Sequence, residues 1–232
     1  LSGEIIVGTG QTVTVNEIVK ETAGVGNGAA QWNDINGTHA FSLGGTKVAY
    51  SNYPNGSKYF LFDDGFAALS GGGTAAFTFG TGDFAIEMWV YIQASGQQHF
   101  YEGRGGTNTN TILLNVDSST QLAAFLNGAY RITDSSALSQ HTWHHVVLTR
   151  SGSTTTLYKN ATSVGTYSDS INYAGPQQGI VNIGSNAGTD GLGAGRGSYV
   201  TGRISIVRVY KGTALTAAQV TSNYNDGFDA TT

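Results

Sequence analysis

From Phe84 to Ile92 the chain reads Phe-Ala-Ile-Glu-Met-Trp-Val-Tyr-Ile, and its side chains alternate with a period of two. On an extended strand Phe84, Ile86, Met88, Val90 and Ile92 share one face, while Glu87, Trp89 and Tyr91 share the other. A helix would scatter those five apolar residues around its circumference, so the segment predicts a long central strand with a dry side and a mixed side. Shorter runs rich in Val, Ile, Thr, Tyr and Phe recur at 58–62, 74–79, 111–116, 122–126, 141–150, 154–158 and 202–210. Their spacing suits an antiparallel sandwich of a dozen or more strands.

Turn residues sit between these runs. The chain has 34 glycines and only 2 prolines, and Gly71-Gly72-Gly73, Gly80-Thr81-Gly82, Ser151-Gly152 and Lys211-Gly212 fall where strands must reverse. Asn127-Gly128, flanked by apolar runs, predicts a two-residue hairpin, because both residues tolerate positive φ. One helix is expected near the end, in Leu-Thr-Ala-Ala-Gln-Val-Thr-Ser-Asn-Tyr, where Thr216 caps and Gln219 stands three residues on. Residues 1–36 read as an extension that either adds an edge strand to its own sandwich or pairs with a neighbouring chain, and residues 37–232 as the domain proper.

Composition removes several function classes. Lys and Arg total 11 against 15 Asp and Glu, and no basic run tracks a phosphate backbone, so nucleic acid is not an expected partner. No stretch of 18 apolar residues is present, so no membrane insertion is expected. Without cysteine there is neither a disulfide framework nor a thiolate metal site. Only 11% of residues are charged, and the abundant Gly, Ser, Thr and Asn predict a neutral polar surface of the kind found outside cells, on virions or on cell surfaces.

Four blocks resemble a known family. They are Tyr-Phe-Leu-Phe-Asp-Asp-Gly-Phe-Ala-Ala-Leu (59–69), the segment 80–91 leading into the long strand, 141–165 with Trp-His-His-Val and Leu-Tyr-Lys-Asn-Ala, and 202–220. Together, across about residues 38–226, they resemble the laminin-G-like jelly rolls of the concanavalin A-like lectin superfamily. Two positions depart from the pattern: Ser205 stands where the family often has an acid, and Ala161 where it has a turn glycine. The resemblance implies an all-β antiparallel β-sandwich with one short C-terminal helix. It also implies a carbohydrate-binding module of a phage or virus particle or a cell-surface assembly. A structural or decoration subunit, trimeric or filamentous and joined through its N-terminal strand, is the alternative; its partners would then be neighbouring subunits rather than a glycan.

A polysaccharide hydrolase or lyase is the third reading. Retaining hydrolases need two carboxylates flanking the scissile bond, yet the long strand carries Glu87 alone, with Asp83 four residues before it. Strand signatures of the lyase type, built from Arg, Gln, His and Tyr, are missing. The expected protein is therefore no enzyme, and Glu87, Glu102 and Asp117 are the acids on which a catalytic role would rest. His144 and His145 are adjacent on a strand, point to opposite faces and cannot share one ion. Trp89 and Trp143 fall in matched family blocks and are expected as core aromatics. Calcium is the one cofactor implied: the family brings the loop ends holding Asp63, Asp64 and Asp83 near one rim, although Asp-Asp-Gly is equally an ordinary turn. Sugar recognition needs an aromatic face with amide and guanidinium groups. Arg104, Asn108, Asn110, Tyr130, Asn186, Asp190, Arg196 and Tyr199, in the loops 103–110, 128–131 and 185–199, are the candidates; the same loops also read as merely solvated.

Overall fold

A computed structural model describes residues 4–9, 31–33, 39–52, 58–104, 109–176, 179–186 and 197–227. Among them are fourteen strands: β1 (Glu4–Thr9), β2 (Gln31–Asn33), β3 (Ala40–Asn52), β4 (Lys58–Ser70), β5 (Phe84–Ile92), β6 (Gln98–Glu102), β7 (Ile112–Val116), β8 (Gln121–Leu126), β9 (Ala129–Ala137), β10 (Trp143–Ser151), β11 (Thr154–Lys159), β12 (Thr162–Ser168), β13 (Ile180–Ile183) and β14 (Gly202–Lys211). One helix, α1 (Ala217–Asp226), follows them. The strands hydrogen-bond in the order β12-β11-β10-β5-β14-β4-β13-β6-β7-β8-β9, with β1 added to β14 and the β2-β3 pair added to β4.

This single ladder becomes two layers because β4 belongs to both. Its residues Phe60 and Phe62 pair with β14, whereas Ala67, Ala68, Leu69 and Ser70 pair with β13. Between them, Asp63-Asp64-Gly65 turns the corner, with Asp64 at φ 54°. The strand β3 follows β4 around that corner, from Ser42 opposite Ala68 to Asn52 opposite Lys58. Gly45 stands on the inside at φ 93°, and a Cβ there would lie 2.3 Å from the Asp64 carbonyl oxygen, so no other residue fits. The Asp-Asp-Gly sequence is thus a bend within one 13-residue strand rather than a loop between strands.

The alternation expected in β5 is realised. Phe84, Ile86, Met88, Val90 and Ile92 enter the core from the first layer, against Leu114, Val116, Leu122, Leu126, Val181 and Ile183 of the second. The far edges of the two layers also meet: the Arg131 guanidinium lies 5.2 Å over the Tyr167 ring, and Lys159 pairs with Asp134. The sandwich is therefore nearly closed, which removes exposed strand edges. The N-terminal strand β1 runs parallel to β14, from Glu4 opposite Ile206 to Thr9 opposite Lys211, on the stretch that β4 leaves unpaired.

Two expectations are corrected. Residues 74–79 do not form a strand: Gly71–Phe77 is a 3-10 turn entered through three consecutive glycines, which weaken a ladder, although Phe77 and Phe79 still reach the core. Nor is Trp143 a core aromatic, whereas Trp89 is buried as expected, at 5% exposure. Period two puts Trp89 on the outer face with Glu87, where α1 covers it, and Trp143 is half-buried on that same face against Tyr59 and Tyr91.

Local chemistry fixes the connections. The Asn127-Gly128 hairpin has φ 47° and 87°, and Thr216 with Gln219 forms the reciprocal cap of α1. Arg150, fully buried at the end of β10, donates to the carbonyls of Gly80, Gly82 and Ile171, lies between the rings of Phe84 and Tyr173, and sits 3.7 Å from Asp169. Its removal takes the donors from the Gly82 and Ile171 carbonyls and the cation from beside buried Asp169, which keeps its bonds from Thr155, Ile171 and Tyr173. Arg150→Met is expected to lower unfolding free energy by about 3 kcal/mol, read as a shifted urea midpoint; an unchanged midpoint would show that Arg150 stitches nothing. In the next turn Ala161 holds φ 64°, a conformation that disfavours any Cβ. Ala161→Gly, which restores the glycine that the family pattern has there, should raise stability by roughly 1 kcal/mol in the same assay.

Candidate ligand-binding face

The second layer turns an unusual set of side chains outward. In β6 strict alternation would put His99 and Glu102 on opposite faces, but the register slips between His99 and Tyr101. This bulge sends Phe100 and Tyr101 together into the core and leaves both His99 and Glu102 outside. Opposite them stand Asn115 and Leu113 of β7, and beyond those Ala123 and Phe125 of β8, with Tyr130 of β9 paired to Phe125.

Glu102 organises the centre. It is 1% exposed, and it accepts from His99 Nδ1 at 2.9 Å, from Arg104 Nε at 2.7 Å and Nη2 at 2.9 Å, and from the Arg104 backbone N–H at 3.0 Å. Burial pushes its carboxyl up, but the hydrogen bonds from His99 and Arg104 and the Arg104 charge outweigh that and hold it below the usual range. The guanidinium then sits over Phe125, 5.3 Å from its centroid. Phe125 meets Tyr130 edge-on at 5.2 Å.

Tyr130 is the exposed large hydrophobic side chain of the described residues, at 42%. Its hydroxyl accepts from Gln97 Nε2 and from Asn115 Nδ2, each at 3.1 Å, so the exposed ring is pinned from beneath. Asn115 Oδ1 and His99 Nε2 are buried with no hydrogen-bond partner among the described residues, and the two side chains stand opposite each other in the register.

The structure brings Arg104 and Tyr130 together on Phe125, and the segment that leads into Tyr199 runs beside them, where Ser198 bonds Gln97 and accepts from the His99 N–H. Asn110 lies at the loop tip, where its N–H donates to Asn127 Oδ1. Asn186 closes the base of its loop by accepting from the Gly197 N–H at 2.8 Å, and Tyr199 is half-buried two residues further on. Asn108, Asp190 and Arg196 lie outside the described residues. The proposed calcium trio does not converge. Asp63 and Asp64 are exposed at the corner beside the Ile92 end of the first layer, where Phe62 and Ile92 both pair with Gly202. Asp83 precedes Phe84 at the opposite end of β5, roughly 30 Å away at the usual rise per residue, and its Oδ1 accepts from the Gly152 N–H. Among the described residues no group of three or more His, Cys, Asp or Glu side chains could hold a metal ion.

The three acids considered for catalysis are equally dispersed. Glu87 projects from the outer face of the first layer, Glu102 from that of the second, and Asp117 closes the β7–β8 turn by accepting from the N–H groups of Ser119 and Gln121. Glu87 is fully buried under α1, where it accepts from His145 Nε2 at 2.7 Å, Asn223 Nδ2 at 3.0 Å and the Tyr210 hydroxyl at 3.2 Å, with Arg208 at 3.6 Å. What sequence reasoning missed is His99, Gln97, Asn115 and the pairing role of Glu102. The one signal was the doublet Phe100-Tyr101 inside His-Phe-Tyr-Glu, which alternation cannot place without a bulge.

These features define a nearly closed antiparallel β-sandwich that carries an exposed aromatic ring and amide groups on the outer face of one layer. A laminin-G family model of the concanavalin A-like lectin/glucanases superfamily matches residues 63–221, and the chain belongs to that superfamily. No curated protein matches the sequence. Among solved structures it is similar to domain 4 of an extracellular GH43 arabinanase from Geobacillus stearothermophilus in complex with arabinotriose, at 16% identity and TM-score 0.58 over 79% of this chain and 87% of that one. It is also similar to Trypanosoma rangeli sialidase, at 18% identity and TM-score 0.62 over 93% of this chain and 34% of that one. A third likeness is to botulinum neurotoxin type C, which interacts with two ganglioside molecules, at 12% identity and TM-score 0.58 over 90% and 50%. This chain thus spans only a third to a half of the length of the latter two, and at such identities the likeness is one of fold. Among the described residues no helix is long and apolar enough to cross a membrane.

Both buried glutamates have carboxyls held low in the folded chain, Glu87 against its burial by His145, Arg208 and Asn223. Their contribution to stability is complete above the unfolded value of about 4.3 and is lost as pH falls through the lower folded values. Urea midpoints measured from pH 7 down to pH 3 are expected to drop steeply below about pH 4.3, and less steeply in Glu87→Gln; equal slopes would mean that Glu87 is not held charged.

Proposed function

We propose that the chain is a non-enzymatic carbohydrate-binding module that receives a sugar ring on the outer face of its second layer. The observation that carries this reading is Tyr130, whose ring is open to solvent while its hydroxyl is fixed by Gln97 and Asn115. A sugar presents one apolar C–H face and a rim of hydroxyls, and this face offers an aromatic plane beside the Gln97 amide and the Arg104 guanidinium. The ring costs little entropy on binding because it is already immobilised. The arabinotriose complex of the arabinanase domain and the ganglioside interaction of the neurotoxin support the reading by analogy of fold. So does the dispersal of Glu87, Glu102 and Asp117, which are far from the facing pair a glycosidase requires. We place the module outside the cell, on a particle or a cell surface, in keeping with its sparsely charged composition.

A panel of immobilised plant and bacterial polysaccharides tests the proposal. The chain should be retained by at least one polysaccharide without cleaving it, and Tyr130→Ala should weaken retention by about tenfold while the thermal midpoint stays within a few degrees. Retention that survives the substitution, or reducing ends released over time, would count against it.

A further inference from the structure

We infer that this face selects neutral sugars over acidic ones, with Glu102 as the specificity-determining residue. The inference rests on the carbohydrate reading above and concerns which sugars the same site accepts.

Arginine forks commonly recognise carboxylates by two parallel N–H···O bonds. In Arg104 that geometry is already occupied from within: Nε meets Glu102 Oε1 and Nη2 meets Oε2, at 2.7 and 2.9 Å. Glu102 is almost wholly buried, while the Arg104 side chain keeps 21% exposure. The guanidinium therefore reaches the surface as half of a neutral pair, seated over Phe125. A uronic or sialic acid arriving here would find no uncompensated cation, only a guanidinium whose two-bond fork is already taken by Glu102.

The test compares matched sugars by titration calorimetry: oligomers of glucose against those of glucuronate, and of galactose against those of galacturonate, at low ionic strength. The neutral member of the better-bound pair should bind about tenfold more tightly. Two substitutions should then move that ratio in opposite directions. Glu102→Gln frees the Arg104 charge and should narrow or invert the preference, whereas Arg104→Gln leaves Glu102 unbalanced and should widen it. A merely structural role would shift both affinities together and leave the ratio alone. If acidic members bind wild type as well as neutral ones, or if neither substitution changes the ratio, the inference falls while the carbohydrate reading stands. If no sugar of either kind binds here or to the polysaccharide panel, both fall. Should Glu102→Gln fail to fold, Arg104→Gln alone still decides, since an unchanged ratio there overturns the inference.

Discussion

Everything in this molecule hangs on a strand that serves two layers. A flat sheet of fourteen strands would leave one whole face wet, and only folding it back on itself buries the apolar half of every strand. The fold line runs through Asp63-Asp64-Gly65 of β4 and Gly45 of β3, where two backbones come close enough to exclude a Cβ. Because β4 pairs with β14 before the corner and β13 after it, the registers of both layers are read from the same 13 residues. A slip of one residue there would turn Phe60 and Phe62 outward and dismantle both halves of the core together.

Outside that core the two layers solve one problem in two ways. Each carries on its outer face a buried glutamate partnered by a histidine and an arginine: Glu87 with His145 and Arg208 in the first layer, Glu102 with His99 and Arg104 in the second. In the first, α1 seals the group, with Asn223 reaching down to Glu87 and Tyr224 stacked on Trp89 at 5.8 Å. Val220 is the buried apolar anchor of that helix, joining Ala85, Val147 and Leu215, so polar contacts hold much of it. In the second layer an exposed tyrosine takes the place that the helix occupies in the first. The same charge arrangement is thus a clasp on one side and the floor of an open face on the other.

How much of this was legible in the sequence follows from the range over which each signal acts. Period two in β5, the positive-φ pair Asn127-Gly128 and the Thr216–Gln219 cap are decided by residues within a few positions of one another, and all are found as expected. The corner was misread as a loop because a bend inside a continuous ladder has the same local composition as a turn. Asp83 was grouped with Asp63 and Asp64 by family resemblance, and only the register of β5 and β14 reveals that a whole strand separates them. The burial of Trp89 is legible from its size, but not that a helix rather than the second layer covers it. Of the face itself, Arg104 and Tyr130 were visible as loop and hairpin residues. Glu102 and His99 were not legible as partners, because a bulge is set by the neighbouring strand rather than by the strand that carries it.

The bulge at Phe100 also explains how a carboxylate is kept at the centre of the second layer's outer face. Bringing His99 beside Glu102 gives the carboxylate a partner on each side, so it can remain ionised while buried. An ionised Glu102 fixes Arg104 on Phe125, Phe125 meets Tyr130, and the amides of Gln97 and Asn115 hold the far end of that ring. Each link removes rotamer freedom before any ligand arrives, and that ordering cost is charged to folding rather than to binding. A weakly charged surface ordinarily binds polar ligands loosely, because water competes for each hydroxyl. Immobilising one aromatic ring and one guanidinium against a buried carboxylate is how a neutral sandwich with few ion pairs can compete with that water.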